Sequence, residues 1–293
     1  MIPTRLTLFS LVTRLAVVYS IEVKEIKNVV IFGDSYSDHE NLFSIGMNTF
    51  FPQIYVEGHF TNGLMWPEYL QNRTSWNFEN YSFGGATVSN TLIPTNAAFL
   101  GVPVPSIEQQ IAAHRQRLLS NPNELDHKDT LYVVAAVGND YNWDRTPDPS
   151  EIVDQLENAT MPLLQPPINA DKIIFWNGGF EKVPRNRVSE WKYQLALFQR
   201  KTHNKRVDEV VKKYQALKPN LRIKIFDLDR LLTDAVKDPL YPNSYEPCIV
   251  AHKDGHNSIC HYPEKSVFWD DIHPTTSIHR GFAREMLSVI KSL

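Results

Sequence analysis

The stretch Val29-Val30-Ile31-Phe32-Gly33-Asp34-Ser35-Tyr36-Ser37-Asp38 decides how this chain is read. An apolar, β-type run stops at a glycine and presents a serine, which is what a buried strand delivers at the carboxyl edge of an α/β sheet. Taken alone, Gly-Asp-Ser is also ordinary turn chemistry. The rest of the chain decides between the two.

Outward from that run, the same pattern recurs. Trp76 to Ser82 reads as a second strand ending at Gly84-Gly85-Ala86-Thr87, where adjacent glycines let backbone amides approach a ligand or anion closely. Leu131 to Val137 is apolar throughout, as a strand covered on both faces should be, and ends at Gly138-Asn139-Asp140. Ile173 to Trp176 and Leu221 to Leu228 supply a fourth and a fifth strand. Between them the helical spacing predicts helices over Trp66 to Leu70, Ser106 to Leu119, Pro149 to Leu164, Val188 to Leu217, Asp229 to Val236 and Thr276 to Ile290. Ser106 is the expected N-cap of one, with Gln109 completing a capping box. In the long helix Leu195, Phe198, Val207, Val210, Val211 and Tyr214 are the expected core contacts. Asp38 to Phe60 shows no sustained period and reads as a long loop, of the kind that is often functional.

Strands alternating with helices imply βαβ units, so the expected fold is α/β: a three-layer α/β/α sandwich around a mainly parallel five-stranded sheet. Ser35, Gly84-Gly85 and Asn139 then converge on one sheet edge. Near the end, Trp269-Asp270-Asp271-Ile272-His273-Pro274-Thr275 places a histidine in a loop at the mouth of a helix, with Asp270 three residues before it. A strand-end serine combined with Asp-x-x-His is the residue set of nucleophilic ester cleavage, because a serine hydroxyl needs an adjacent base and the base an orienting carboxylate.

The 293 residues are 42% hydrophobic and 22% charged, an ordinary globular composition that one domain over 21–293 accommodates. A net charge of -3 gives no electrostatic footprint for nucleic acid. Residues 1–20 have the outline of a secretory signal, with Arg5 ahead of a largely apolar run that Arg14 interrupts and with cleavage expected after Ser20. No later stretch approaches the roughly 18 apolar residues of a membrane span. Secretion agrees with three glycosylation triplets, at Asn72, Asn80 and Asn158, and with a disulfide between the two cysteines, Cys248 and Cys260. A rival reading makes Cys248, His252, His256 and Cys260 a zinc site, which Pro247, Gly255 and Asn257 oppose by breaking the helix it would need.

On these motifs the chain resembles the Gly-Asp-Ser-Leu (GDSL) esterases and lipases, also called SGNH hydrolases, which have a flavodoxin-like sheet. Gly33-Asp34-Ser35 is similar to the first family block, Asn80 to Thr87 to the second, Asn139-Asp140 to the third and Trp269 to Thr275 to the last. Gly58-His59-Phe60-Thr61-Asn62-Gly63 and Trp66-Pro67-Glu68-Tyr69-Leu70 look like the plant and fungal branch. Departures are Tyr36 for the motif leucine, Glu40 where glycine is common and Val137 for a glycine that here falls at 138. The resemblance implies Ser35 as nucleophile, His273 as base, Asp270 as its orienting group, and an oxyanion hole from the Ser35 amide, the Gly85 (or Gly84) amide and the Asn139 side chain. Asp34 is expected to be structural. It further implies a secreted monomeric esterase with no metal or cofactor, acting on acetyl or other short acyl esters of carbohydrate or small molecules. A lipase or phospholipase on longer chains is the alternative, and a non-catalytic binding protein on the same fold another. Phe43, Phe50, Phe51 and Tyr55 are candidate pocket walls.

Overall fold

Five strands, β1 (Asn28–Gly33), β2 (Asn77–Asn80), β3 (Thr130–Ala135), β4 (Lys172–Trp176) and β5 (Arg222–Phe226), form one sheet in the computed structural model. The structure describes residues 25–45, 55–94, 103–122, 124–136, 138–141, 147–178, 189–251 and 256–293. The expected leader, Phe50, Phe51, Val137 and His252 lie outside these residues. The strand order is β2-β1-β3-β4-β5 and every neighbouring pair is parallel. The chain order therefore reverses between β1 and β3, the switch point where open parallel sheets leave a crevice at their carboxyl ends. Ser35 follows β1 and Asn139 follows β3.

The continuous apolar runs have a direct cause, since alternate side chains of each strand enter two different cores. Val29, Ile31, Leu131, Val133, Ile174 and Trp176 pack against helices α2 (Trp66–Gln71), α6 (Leu228–Lys237) and α7 (Thr276–Lys291). Val30, Phe32, Tyr132, Val134, Ile173 and Phe175 face α3 (Ile107–Ser120), α4 (Pro149–Thr160) and α5 (Glu190–Leu217). The fold is the expected α/β sandwich. The α3 cap is also as expected, Ser106 accepting from the Gln109 backbone while the Gln109 side chain reaches back.

Three local features differ from the sequence reading. Phe198 is 57% exposed, not core, because the buried stripe of α5 runs through Gln199, His203, Val207, Val210 and Tyr214 at helical spacing. Its polar members hid it. A short helix, α1 (Asn41–Ser44), interrupts the stretch read as loop. Strands β6 (Ile249–Ala251) and β7 (Asn257–Ile259) make an antiparallel hairpin outside the main sheet, closed by the Cys248–Cys260 disulfide. With both thiols oxidised, the zinc reading of that cluster is excluded.

Candidate active site

Ser35 leaves β1 in a helical turn held by its neighbours. The amides of Ser37 and Asp38 both donate to the Asp34 carbonyl at 2.9 Å, and the Asp34 carboxylate accepts from the Tyr36 amide at 3.1 Å. On the other side of the turn, the Gln110 side chain accepts from the Gly33 amide and donates to the Gly33 carbonyl, each at 2.9 Å. Gly33, the first residue of the Gly-Asp-Ser turn, is thus fixed to α3.

His273 arrives from the opposite end of the chain, in the loop before α7. Asp270 shapes that loop first: its Oδ1 accepts from the amides of Ile272 at 2.8 Å and His273 at 2.6 Å. Its Oδ2 meets His273 Nδ1 at 2.6 Å, and His273 Nε2 lies 2.8 Å from Ser35 Oγ. One carboxylate therefore folds the turn and orients the ring, which explains why the two residues stand three apart. Which nitrogen carries the proton follows from this network: Nδ1 donates to Asp270, leaving Nε2 to accept from Ser35. Burial by itself would raise the Asp270 carboxyl, but the His273 imidazole and the hydrogen bonds from His273 and Tyr55 outweigh it and hold it at about 2. Ser35 and His273 are each 6% exposed.

Tyr55 donates its hydroxyl to Asp270 Oδ2, and its ring meets His273 edge-on at 6.1 Å. Read from sequence only as a pocket wall, it is a partner of the carboxylate, and 215 residues of separation leave no local signal for the pairing. Phe60 covers the imidazole at 4.9 Å between ring centres. Tyr36 donates its hydroxyl to the Ile272 carbonyl at 2.6 Å, joining the serine turn to the histidine loop. Thr61 donates to the Pro274 carbonyl at 2.8 Å, and Asn62 accepts from the Thr276 amide at 2.9 Å, so the Thr61-Asn62 segment grips the start of α7.

The second block is tied to the first by Asp38, which the sequence reading passed over. Its buried carboxylate accepts from the amides of Gly84 at 2.7 Å, Asn41 at 2.8 Å and Leu42 at 3.2 Å, while burial pushes its carboxyl up to about 7. The Gly84 amide is thereby committed. Gly85 follows at φ +83, a backbone that side chains rarely adopt. Asn139 donates one amide proton to the Ala86 carbonyl at 2.9 Å, which holds its NH2 group beside this loop, and Gly138 before it turns at φ +134. Asn80, read as a glycosylation acceptor, is half-buried: its Nδ2 donates to the Ser37 carbonyl at 2.6 Å and its Oδ1 accepts from the Ser82 amide. Asn72 and Asn158 are exposed. Glu40, where the resemblance expected glycine, has φ +67, so the position keeps the left-handed backbone without the glycine.

A parallel sheet that hands a serine to a histidine backed by a carboxylate is the arrangement that defines serine hydrolases. The chain belongs to the GDSL-like lipase/acylhydrolase family, whose model matches residues 29–286. It is 27% identical over 295 residues to the thermolabile hemolysin of Vibrio parahaemolyticus, a match covering 92% of this chain and 65% of the hemolysin. It is 22% identical over 331 residues to the phosphatidylcholine-sterol acyltransferase of Aeromonas hydrophila, covering 90% of each. To the acetylesterase of Hypocrea jecorina it is 31% identical over 91 residues, 28% of this chain and 26% of that enzyme.

Proposed function

We propose that the protein hydrolyses carboxylic esters through an acyl-enzyme formed on Ser35. The observation that carries this is the continuous Ser35, His273, Asp270 hydrogen-bond relay at 2.8 and 2.6 Å. Ser35 Oγ attacks the ester carbonyl carbon while its proton passes to His273 Nε2. The tetrahedral intermediate then collapses, the ester bond breaks, and the alcohol departs with the proton from Nε2. Water repeats the sequence on the acyl-enzyme, releasing the carboxylic acid and restoring Ser35. Asp270, ionised throughout the neutral range, stabilises the imidazolium formed at each step. The oxyanion donors are the amides of Ser35 and Gly85 and the second amide proton of Asn139. Gly85 is preferred over Gly84 because the Gly84 amide serves Asp38. Each such donor contributes on the order of 100- to 1000-fold in rate.

For the acyl group we infer a lipid chain, in place of the acetyl group favoured by the sequence reading. Supporting this, the relatives matched over some nine-tenths of the chain are a hemolysin and a phosphatidylcholine-sterol acyltransferase, whereas the acetylesterase match covers 28%. Trp191 and Phe198, 64% and 57% exposed, stand on α5, which begins at the carboxyl edge of the sheet and suits contact with an apolar interface. The test is initial rates on p-nitrophenyl acetate, butyrate, octanoate and palmitate, and on dispersed phosphatidylcholine, with Ser35→Ala beside the wild type. Rates that rise toward octanoate and vanish in Ser35→Ala are expected. A steep fall beyond acetate would restore the short-acyl reading, and equal rates in the two proteins would remove Ser35 as nucleophile.

A further inference from the structure

We propose that His39, His59 and Glu68 form a binding site for a divalent transition-metal ion of the zinc type, beside the catalytic residues and separate from them. His39 Nε2 lies 3.5 Å from Glu68 Oε1 and His59 Nε2 lies 3.6 Å from Glu68 Oε2. Both pairs stand at ion-pair separations, which are also close to the roughly 3.3 Å edge of a tetrahedron with ligands at 2.0–2.1 Å. His59 is 1% exposed and its Nε2 has no hydrogen-bond partner. Its Nδ1 is 3.2 Å from the Gly63 carbonyl, which can only accept, so Nδ1 carries a proton and Nε2 is the nitrogen turned toward the carboxylate. A divalent cation placed there would be held by one nitrogen from each ring and by the Glu68 carboxylate.

The surroundings match what such an ion requires. A ring nitrogen that donates to a backbone carbonyl while the other faces the ion is the usual outer arrangement of a metal-bound histidine. Glu68 is held by the Met65 amide, which donates to its Oε2 at 2.7 Å. The two imidazoles stack at 5.0 Å, and the His39 side chain is 39% exposed, giving entry from solvent. Glu40 supplies a further carboxylate, since single donor atoms of His39, Glu40 and His59 lie within 4.8 Å of one another. The ligands come from three segments: the turn after Ser35, the loop that carries Phe60 and Thr61, and α2. An ion would therefore fasten the nucleophile's turn to the segment that grips the start of α7, acting on position and not on the ester itself.

The full-length protein, freed of metal with a chelator and then dialysed, should bind one Zn2+ per chain by calorimetry, with a raised melting temperature. Co2+ in its place should give a visible ligand-field band. His39→Ala, at a half-exposed position that leaves the core intact, and Glu68→Gln should each weaken Zn2+ binding by more than about 10-fold. Absence of Zn2+ binding in the wild type would overturn the proposal. So would unchanged stoichiometry and affinity in both variants, which would assign the ion to the other histidines of the surface.

Discussion

Tyr36 does what leucine at the same position cannot. Its hydroxyl donates to the carbonyl of Ile272, one residue before His273, so the two halves of the proposed relay are braced by a bond that takes no part in proton transfer. Tyr36→Phe should lower the urea unfolding free energy by about 1 kcal/mol, the usual worth of one such bond. The kcat should fall by less than that of any relay variant, with KM unchanged. An unaltered unfolding midpoint would show that the bond contributes nothing. Asp270 offers a second test at this scale. Its carboxyl is held at about 2 from an ordinary 3.8, so the ionised form is the folded form. The stabilisation is complete above pH ~4 and is lost as pH falls through 2, amounting to about 2 kcal/mol. Denaturation at pH 5, 4, 3 and 2 should show that loss in the wild type and its absence in Asp270→Asn.

At the level of elements, the hairpin of β6 and β7 is a buttress for the histidine loop. The Cys248 amide donates to the Phe268 carbonyl at 3.1 Å and the Ile249 amide to the Trp269 carbonyl at 2.8 Å, directly before Asp270. Replacing both cysteines with serine should cost about 2–4 kcal/mol for a loop of this size and should lower activity as well, because the loop that carries the relay loses its backing. Thermal unfolding and p-nitrophenyl ester rates, measured with and without reductant, check this; full activity in the reduced wild type would sever the hairpin from the site. The hairpin was invisible in the sequence for a physical reason. Its strands are three residues each, and Asn257 to Ile259 is exposed, so neither burial nor alternation marks them. β1, β3 and β4 were legible because both their faces are covered. Ser35, Asp270 and His273 were legible because each sits at a break between regular elements. Tyr55, Asp38 and the meeting of His39 with Glu68 depend on contacts between distant segments or on a fold already formed, which no window of sequence contains.

Among the described residues, three buried histidines are kept neutral by folding. Burial lowers His114 and His203 from 6.5 to about 4, and lowers His279 to about 3. The unfolded chain binds these protons first, so stability is complete above pH ~6.5 and falls as pH drops toward 4, by up to about 1.4 kcal/mol per pH unit for each histidine. Urea unfolding at pH 7, 6, 5 and 4 should show that decline, and a flat profile would refute it. Finally, Gln110 has a meaning beyond its two hydrogen bonds to Gly33. β2 is last paired opposite Ile31, two residues short of Gly33, and there the glutamine amide accepts from the Gly33 N–H and donates to the Gly33 carbonyl, which also accepts from the Phe83 amide at 3.2 Å. It is a surrogate strand one peptide long, built from a side chain. Glutamate would lose the donor and asparagine the reach, so the sheet ends on a rung that the helix provides.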